Sequence, residues 1–197
     1  SLAGVRIYLS SYRLGARADT LATTGGQAAI ILNALDAFPD RRLNWTRETA
    51  DLERLGYSSA ELDLRDFWGD LTGLARRLAT VDLLWVVGGN AFVLARAATA
   101  AGLSHALRDS PHLTYAGYSA GACITSPDLA GIEVMDPADE LPPGYSPRMP
   151  ATTLALTNLR IVPHAGTPEA DAAEALLNAR GLRHTTLADG EDLVIGT

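Results

Sequence analysis

Short runs of apolar residues alternate along the chain with longer stretches in which apolar positions recur at helical spacing, the pattern of β-α-β units that feed a parallel sheet. Residues 5–10 open the series as a strand. After a polar stretch that holds Arg13, Arg17 and Asp19, residues 28–33 read as a strand buried on both faces. Residues 46–55 have helical spacing and end at Gly56. A strand is expected at 60–64, a helix at 71–79, and the most strongly apolar strand at 82–87, which runs into Gly88, Gly89 and Asn90. The Ala- and Leu-rich stretch 91–107 has the propensity for one long helix. Residues 113–118 form the next strand and lead directly into Ser119, Ala120 and Gly121. Residues 127–150 are dense in Pro and Gly and predict a long irregular loop or a small subdomain. A strand at 159–162, a helix at 168–180 closed by Gly181, and edge strands around 185–187 and 193–195 complete the pattern. The class is α/β with a mostly parallel central sheet, and the 197 residues are read as one domain, a length that supports one core but not two well-packed ones.

Composition narrows the functions open to such a fold. With 47% hydrophobic and 20% charged residues the chain is an ordinary globular one. Sixteen basic against 23 acidic residues give a formal charge of −7, which opposes the electrostatic attraction on which general nucleic-acid binding rests. Every basic residue is Arg, so no lysine nucleophile or Schiff base is available. The single cysteine, Cys123, cannot form an internal disulfide, and no Cys/His pairs have zinc-finger spacing, so no metal is expected. Cys123 falls one helical turn beyond Ser119 and reads as a small buried apolar residue. No apolar run approaches the roughly 20 residues of a membrane span, and residues 1–10 lack a basic segment followed by a long apolar one. A cytoplasmic location without membrane contact is expected, and a homodimer stays open beside a monomer.

Candidate chemistry centres on Gly117-Tyr118-Ser119-Ala120-Gly121. This GxSxG pattern lies between an expected strand and an Ala-rich segment, where small neighbours let the chain turn sharply and present the Ser119 hydroxyl. The alternative is a tight turn whose serine caps a helix. A serine nucleophile needs a base, and the chain has four histidines. His105 falls within a helix, His112 precedes the strand that carries Ser119, and His184 sits in a polar run that reads as an exposed edge. His164 follows the strand at 159–162 and so emerges at the sheet edge where open α/β folds gather their sites. An acid to orient the imidazole is available among Glu169, Asp171, Glu174, Asp189, Glu191 and Asp192; Asp189 has a route to the same edge, although Asp189-Gly190 is also a hairpin-turn pair, and Glu191 is the reserve. Backbone N–H groups of Gly89 and of Ala120 are the candidate oxyanion donors. Asn90 is a candidate substrate contact that equally fits a helix cap. Arg13, Arg17 and Arg148 are the arginines considered for a substrate carboxylate, with Arg148 retained. Asp128, Glu133, Asp136, Asp139 and Glu140 make the 127–150 segment acidic, which reads either as a field favouring a substrate amine or as a solvated loop.

At Val86-Val87-Gly88-Gly89-Asn90-Ala91-Phe92, Ala116-Gly117-Tyr118-Ser119-Ala120-Gly121-Ala122 and Val162-Pro163-His164 the chain resembles peptidase family S51, the peptidase E or aspartyl dipeptidase group. The resemblance implies a three-layer sandwich like that of class I glutamine amidotransferases, with Ser119 in place of their cysteine. It implies a cofactor-independent serine exopeptidase acting on short peptides, with Asp189-Gly190 matching the family's late acidic-Gly pair. The segment that follows His164 lacks the longer basic insertion of aspartyl dipeptidases, so cleavage after an N-terminal Asp stands beside a small serine carboxypeptidase. Two further readings differ in kind. An α/β-hydrolase-type esterase would take Asp128 or Asp136 as its acid, and a non-catalytic peptide-binding homologue would leave Ser119 unreactive.

Overall fold

Each apolar run that predicts a strand forms one among residues 6–196, the residues that the computed structural model describes; Val5, the first residue of the first expected strand, lies outside them. The strands are β1 (Arg6–Ser10), β2 (Gly26–Ile31), β3 (Tyr57–Glu61), β4 (Leu83–Val86), β5 (Thr114–Tyr118), β6 (Ile161–Val162), β7 (Thr185–Thr186) and β8 (Asp192–Ile195). The helices are α1 (Trp45–Arg54), α2 (Leu71–Leu78), α3 (Ala91–Ala101), α4 (Leu103–Arg108), α5 (Ala120–Cys123) and α6 (Pro168–Ala179). The main sheet has six strands in the order β3-β2-β4-β5-β1-β8. Its first five strands run parallel, and β8 closes the β1 edge antiparallel. β6 and β7 pair separately, in parallel.

Side chains alternate between the two faces of a strand, and the buried residues divide accordingly. Ile7, Leu9, Ala29, Ile31, Leu84, Val86 and Tyr115 pack on one face against Leu74 and Leu78 of α2, Leu94 and Ala98 of α3, and Leu103 and Leu107 of α4. Tyr8, Ala28, Ile30, Leu83, Trp85, Ala116 and Tyr118 pack on the other against Leu52 of α1 and Leu55 just beyond it. Helix, sheet and helix make the three-layer sandwich that the resemblance implies. A satellite cluster of Val162, Ala170, Ala173 and Leu177 seats α6 on β6.

Besides shifts of one or two residues at other element ends, three departures from the expected pattern have a local reason. β3 starts and ends earlier than 60–64, because Asp63 accepts the Arg65 N–H at 3.0 Å and starts a 3-10 turn at Leu64–Phe67. The apolar pair Leu62 and Leu64 still points into the core, so burial and not pairing produces the alternation that reads as a strand. The single helix expected at 91–107 is two, because Gly102 adopts a left-handed conformation with φ +74° and ends α3. The last two strands are no hairpin: β7 pairs with β6 and β8 with β1, so the link through Asp189-Gly190 crosses from one sheet to the other.

The segment 127–150 is irregular apart from one 3-10 turn at Ile132–Val134. It is tied down by hydrogen bonds from the Arg96 guanidinium to the Met149 and Ala138 carbonyls and from the Tyr145 hydroxyl to Asp36. Among the described residues no helix is long and apolar enough to cross a membrane.

One buried polar contact fixes α1 against the sheet. Glu48 is 2% exposed, and its carboxylate accepts the Trp85 Nε1–H at 2.8 Å, the Tyr118 hydroxyl and an Arg47 guanidinium N–H at 3.3 Å. A buried carboxylate is tolerated only when its lone pairs are filled in this way. Replacing Trp85 with Phe removes one donor and some buried volume together, so Trp85→Phe is expected to lower stability by about 2–4 kcal/mol, measured by urea denaturation.

Candidate active site

The strand β5 ends at Tyr118, and the chain then turns into α5 through Ser119, whose backbone is held at φ +52° and ψ −115°. A side chain other than glycine is strained there, and the neighbouring residues show what the strain permits. A Cβ on Gly121 would stand 2.1 Å from the Val86 carbonyl oxygen, and one on Gly117 would stand 2.5 Å from that of Gly121. The two outer glycines of GxSxG are therefore required by space: β4, β5 and α5 meet backbone to backbone. The Tyr115 hydroxyl donates to the Gly121 carbonyl at 2.6 Å, and the Ser119 N–H donates to the Ser10 carbonyl at 3.1 Å, which anchors the turn to β1.

His164 follows β6 and is also left-handed, at φ +59°. Its Nε2 lies 3.0 Å from Ser119 Oγ, and its Nδ1 lies 2.8 Å from Asp189 Oδ1. Ionised Asp189 can only accept, so Nδ1 carries the proton and Nε2 is left to accept from the serine hydroxyl. The Asp189 carboxyl is raised by burial but brought down further by hydrogen bonds from Ser11 and His164, and the net effect holds it below the ordinary carboxylate range. The other histidines lie elsewhere. His105 is exposed beside Asp109, and His112 bonds the Val81 carbonyl at 3.1 Å. His184, expected at an exposed edge, is instead mostly covered, with Nδ1 3.2 Å from the Leu182 carbonyl and Nε2 3.5 Å from Glu174.

Beyond β4, Gly88 and Gly89 lie beside the serine. A Cβ on Gly88 would fall 3.0 Å from Ser119 Cβ and 3.4 Å from its Oγ, so any side chain there would crowd the hydroxyl. Gly89 has φ +141°, and a Cβ would meet the Ala34 carbonyl oxygen at 2.3 Å. Its N–H has no acceptor among the described residues. The N–H of Ala120, at the first position of α5, has none within the helix. Both candidate oxyanion donors thus flank the serine unspent.

Asn90 needs correcting as a substrate contact. It is 2% exposed, its Oδ1 caps α3 by accepting the Phe92 and Val93 N–H groups, and its Nδ2 donates to the Pro137 carbonyl. Arg148 needs correcting too, because it is exposed on the 127–150 segment and does not line the cleft at Ser119. Arg13 is committed to Asp51 at 2.8 and 2.9 Å, and Arg17 is exposed. None of the acidic residues of 127–150 lines the cleft: Asp128 pairs with Arg160, Glu133 with Arg180, and Asp136 caps α3 through the Ala91 N–H at 2.9 Å. The acid of the esterase reading is therefore not at the imidazole, where Asp189 stands instead.

Ser119 and His164 open onto a cleft of about 230 Å³. Its apolar wall includes Leu32, Leu35, Trp45 and Val87, and its polar lining includes Arg41, Arg47 and Glu48. Arg47 lies over the Tyr12 ring at 5.5 Å and donates to the Tyr12 hydroxyl at 3.0 Å. Sequence reasoning missed this α1 side of the site because α1 carries no motif. It also missed Ser11, whose hydroxyl lies 2.7 Å from Asp189 Oδ1 and accepts the His164 N–H at 2.7 Å. The signal was present: Ser11 follows a parallel strand at the same sheet edge as Ser119. Among the described residues no three His, Cys, Asp or Glu side chains are grouped so as to hold a metal ion.

Comparisons with known proteins bear on the family and the fold. The model of the family described as Peptidase family S51 matches residues 44–196. An uncharacterized peptidase of Pasteurella multocida is 30% identical over 123 residues, 60% of this chain and 56% of the relative. An uncharacterized peptidase of Listeria innocua is 37% identical over 87 residues, 43% of this chain and 41% of the relative. The chain thus spans about half the length of the curated relatives it matches. Among solved structures, one described as a "Putative Peptidase E Protein" from Listeria monocytogenes superposes with a TM-score of 0.80 at 22% identity, covering 98% of this chain and 95% of the other. A peptidase from an acI-B1 actinobacterium superposes with a TM-score of 0.69 at 18% identity, covering 98% and 85%. At these identities the superpositions show a shared fold.

Asp136 offers a test of the cap it forms. Burial pushes its carboxyl up to about 6, against the lowering effect of the Ala91 N–H and of nearby His164. Between about pH 4 and pH 6 the native state then holds a proton that the unfolded chain has released, so this group's contribution to stability falls as pH rises through that window. Asp136→Asn keeps an acceptor for Ala91 and cannot ionise. The expected outcome is that wild type loses up to about 2–3 kcal/mol relative to the variant between pH 4 and pH 6.5, measured by urea denaturation at each pH.

Proposed function

The chain belongs to peptidase family S51, and from that membership we propose that it is a serine exopeptidase that hydrolyses short peptides through an acyl-enzyme on Ser119. The observation that carries the proposal is the continuous line from Asp189 through His164 to Ser119, at 2.8 and 3.0 Å, opening onto a cleft. His164 Nε2 takes the proton as Ser119 Oγ attacks the peptide carbonyl carbon, and the carbonyl oxygen gains negative charge that the Gly89 and Ala120 N–H groups stabilise. The imidazolium, stabilised by Asp189, then gives its proton to the leaving amine as the C–N bond breaks. Water attacks the ester with the same imidazole as base and frees the serine.

The small cleft favours a chain end over the middle of a polypeptide, and the Arg47 guanidinium on its lining favours a carboxylate near the scissile bond. An N-terminal Asp, as in aspartyl dipeptidases, supplies that carboxylate from its side chain. A C-terminal residue supplies it from the terminus, which is the carboxypeptidase reading, and digestion of a peptide library separates the two by the end from which residues are released.

Ser119→Ala is expected to abolish peptide turnover and labelling by a fluorophosphonate probe; undiminished hydrolysis by the variant would overturn the assignment, whereas a small residual rate above that in water would not. An unlabelled wild type would favour the peptide-binding homologue. Asp189→Asn is expected to lower kcat about 10⁴-fold, far more than Asp136→Asn, because only Asp189 meets the imidazole. Equal losses in steady-state assays of the two variants would reopen the choice of acid.

A further inference from the structure

The two residues at the C-terminal end of β1 touch both halves of the assembly. The Ser10 carbonyl accepts the N–H of Ser119, and the Ser11 hydroxyl accepts the N–H of His164. Ser11 is fully buried and its hydroxyl is spent in both directions: it accepts from His164 at 2.7 Å and donates to Asp189 Oδ1 at 2.7 Å. The same oxygen of Asp189 receives the His164 Nδ1–H, and Ser11 Oγ itself lies 3.4 Å from that nitrogen.

We infer that Ser11 is a positioning residue of the hydrolytic assembly, holding the left-handed backbone of His164 and the carboxylate of Asp189 in one arrangement through a single buried hydroxyl. The inference rests on the reading of Ser119 and His164 as nucleophile and base. Two features of the site require such a brace. The Asp189 side chain is 57% exposed, so water competes for its oxygens and a single contact to the imidazole leaves it rotational freedom. His164 sits at φ +59°, where a bulky residue persists only if its surroundings hold it, and the Ser11 hydroxyl is the acceptor for its N–H. Ser11 is itself set by the chain: its N–H donates to the Glu191 carbonyl at 3.4 Å, two residues beyond Asp189. Nucleophile and base, distant in sequence, are thereby referenced to adjacent residues of one strand end.

The test follows the rate at which a fluorophosphonate probe labels Ser119 in the full chain. Ser11→Ala is expected to slow labelling roughly ten- to a hundredfold, the effect of losing one hydrogen bond to a charged group, with the melting temperature close to that of wild type. Because Ser11 acts in part through Asp189, the Ser11→Ala, Asp189→Asn double variant is expected to lose less than the product of the two single losses. The downfield proton resonance of His164 Nδ1–H is expected to weaken or vanish in Ser11→Ala. Ser11→Cys, nearly isosteric and a weaker donor, gives an intermediate rate and serves if the alanine variant does not fold. A Ser11→Ala or Ser11→Cys protein that labels at the wild-type rate, or a full multiplication of the two losses in the double variant, overturns the inference. Failure of the wild type itself to label overturns the nucleophile assignment and the role of Ser11 with it.

Discussion

The geometry of this site depends on the close approach of three backbones at one edge of the sheet. The carbonyl of Val86 in β4 lies where a Cβ on Gly121 would fall, and Gly121 in turn fills the space beside Gly117 in β5. Without that contact α5 could not start so close to the strand ends, and Ser119 would have no reason to hold a left-handed backbone. The strain at Ser119 is offset by the hydrogen bonds that the turn makes to Ser10 and from Tyr115, and the result is a hydroxyl raised above the sheet edge beside two unspent N–H groups.

A second set of contacts carries the position of the elbow outward to the wall of the cleft. Tyr118, the residue before Ser119, gives its hydroxyl to the buried Glu48, and burial together with that carboxylate pushes the phenol far above its ordinary range, so it remains a donor. Glu48 also receives Trp85 from β4 and Arg47 from its own helix. Tyr12 stacks edge-on to Tyr118 at 5.9 Å between ring centres and receives Arg47 on its hydroxyl. One buried carboxylate therefore ties Arg47 on the cleft wall to Tyr118, the residue before the nucleophile, and α1 is part of the site as much as of the core.

Legibility from the sequence followed the range of the interactions involved. Strands buried on both faces, such as Leu83–Val86, announce themselves because every residue must be apolar, and Gly117 and Gly121 are visible because a tight turn leaves no other choice. Gly102 was present in the sequence too, yet Ala-rich propensity on both sides outweighed one glycine in the reading, and only the packed structure shows α3 and α4 as separate helices. Asn90 carried two meanings of similar weight, cap or contact; the Pro137 carbonyl at its other end decides between them, and nothing in the sequence links residue 90 to residue 137. Arg47 was beyond reach for the same reason: it belongs to no motif, and its partner on the cleft wall, Tyr12, lies 35 residues away. Ser11 was legible by position, since it follows a parallel strand at the same sheet edge as Ser119, but its partner Asp189 shows only after folding.

In the proposed mechanism, the surroundings of two carboxylates favour the later one, Asp189, as the acid. Asp136 and Asp189 both lie near His164, and a reading by residue type alone cannot choose between them. Asp136 is enclosed, with burial as the dominant influence and its hydrogen bond spent on the Ala91 N–H, so its charge is disfavoured relative to that of an ordinary carboxylate. Asp189 is largely open to solvent, receives two hydrogen bonds on one oxygen, and keeps its charge well below neutrality. An imidazolium formed during acyl transfer needs an ionised partner that is already in place, since any reorientation would be charged against the barrier. Divergent environments of this kind separate a structural carboxyl from an electrostatic partner. The separation falls on the side of Asp189: the sheet crossing between β7 and β8 brings an exposed turn to the imidazole, whereas the enclosed cap at α3 steadies the loop that carries Gly88 and Gly89.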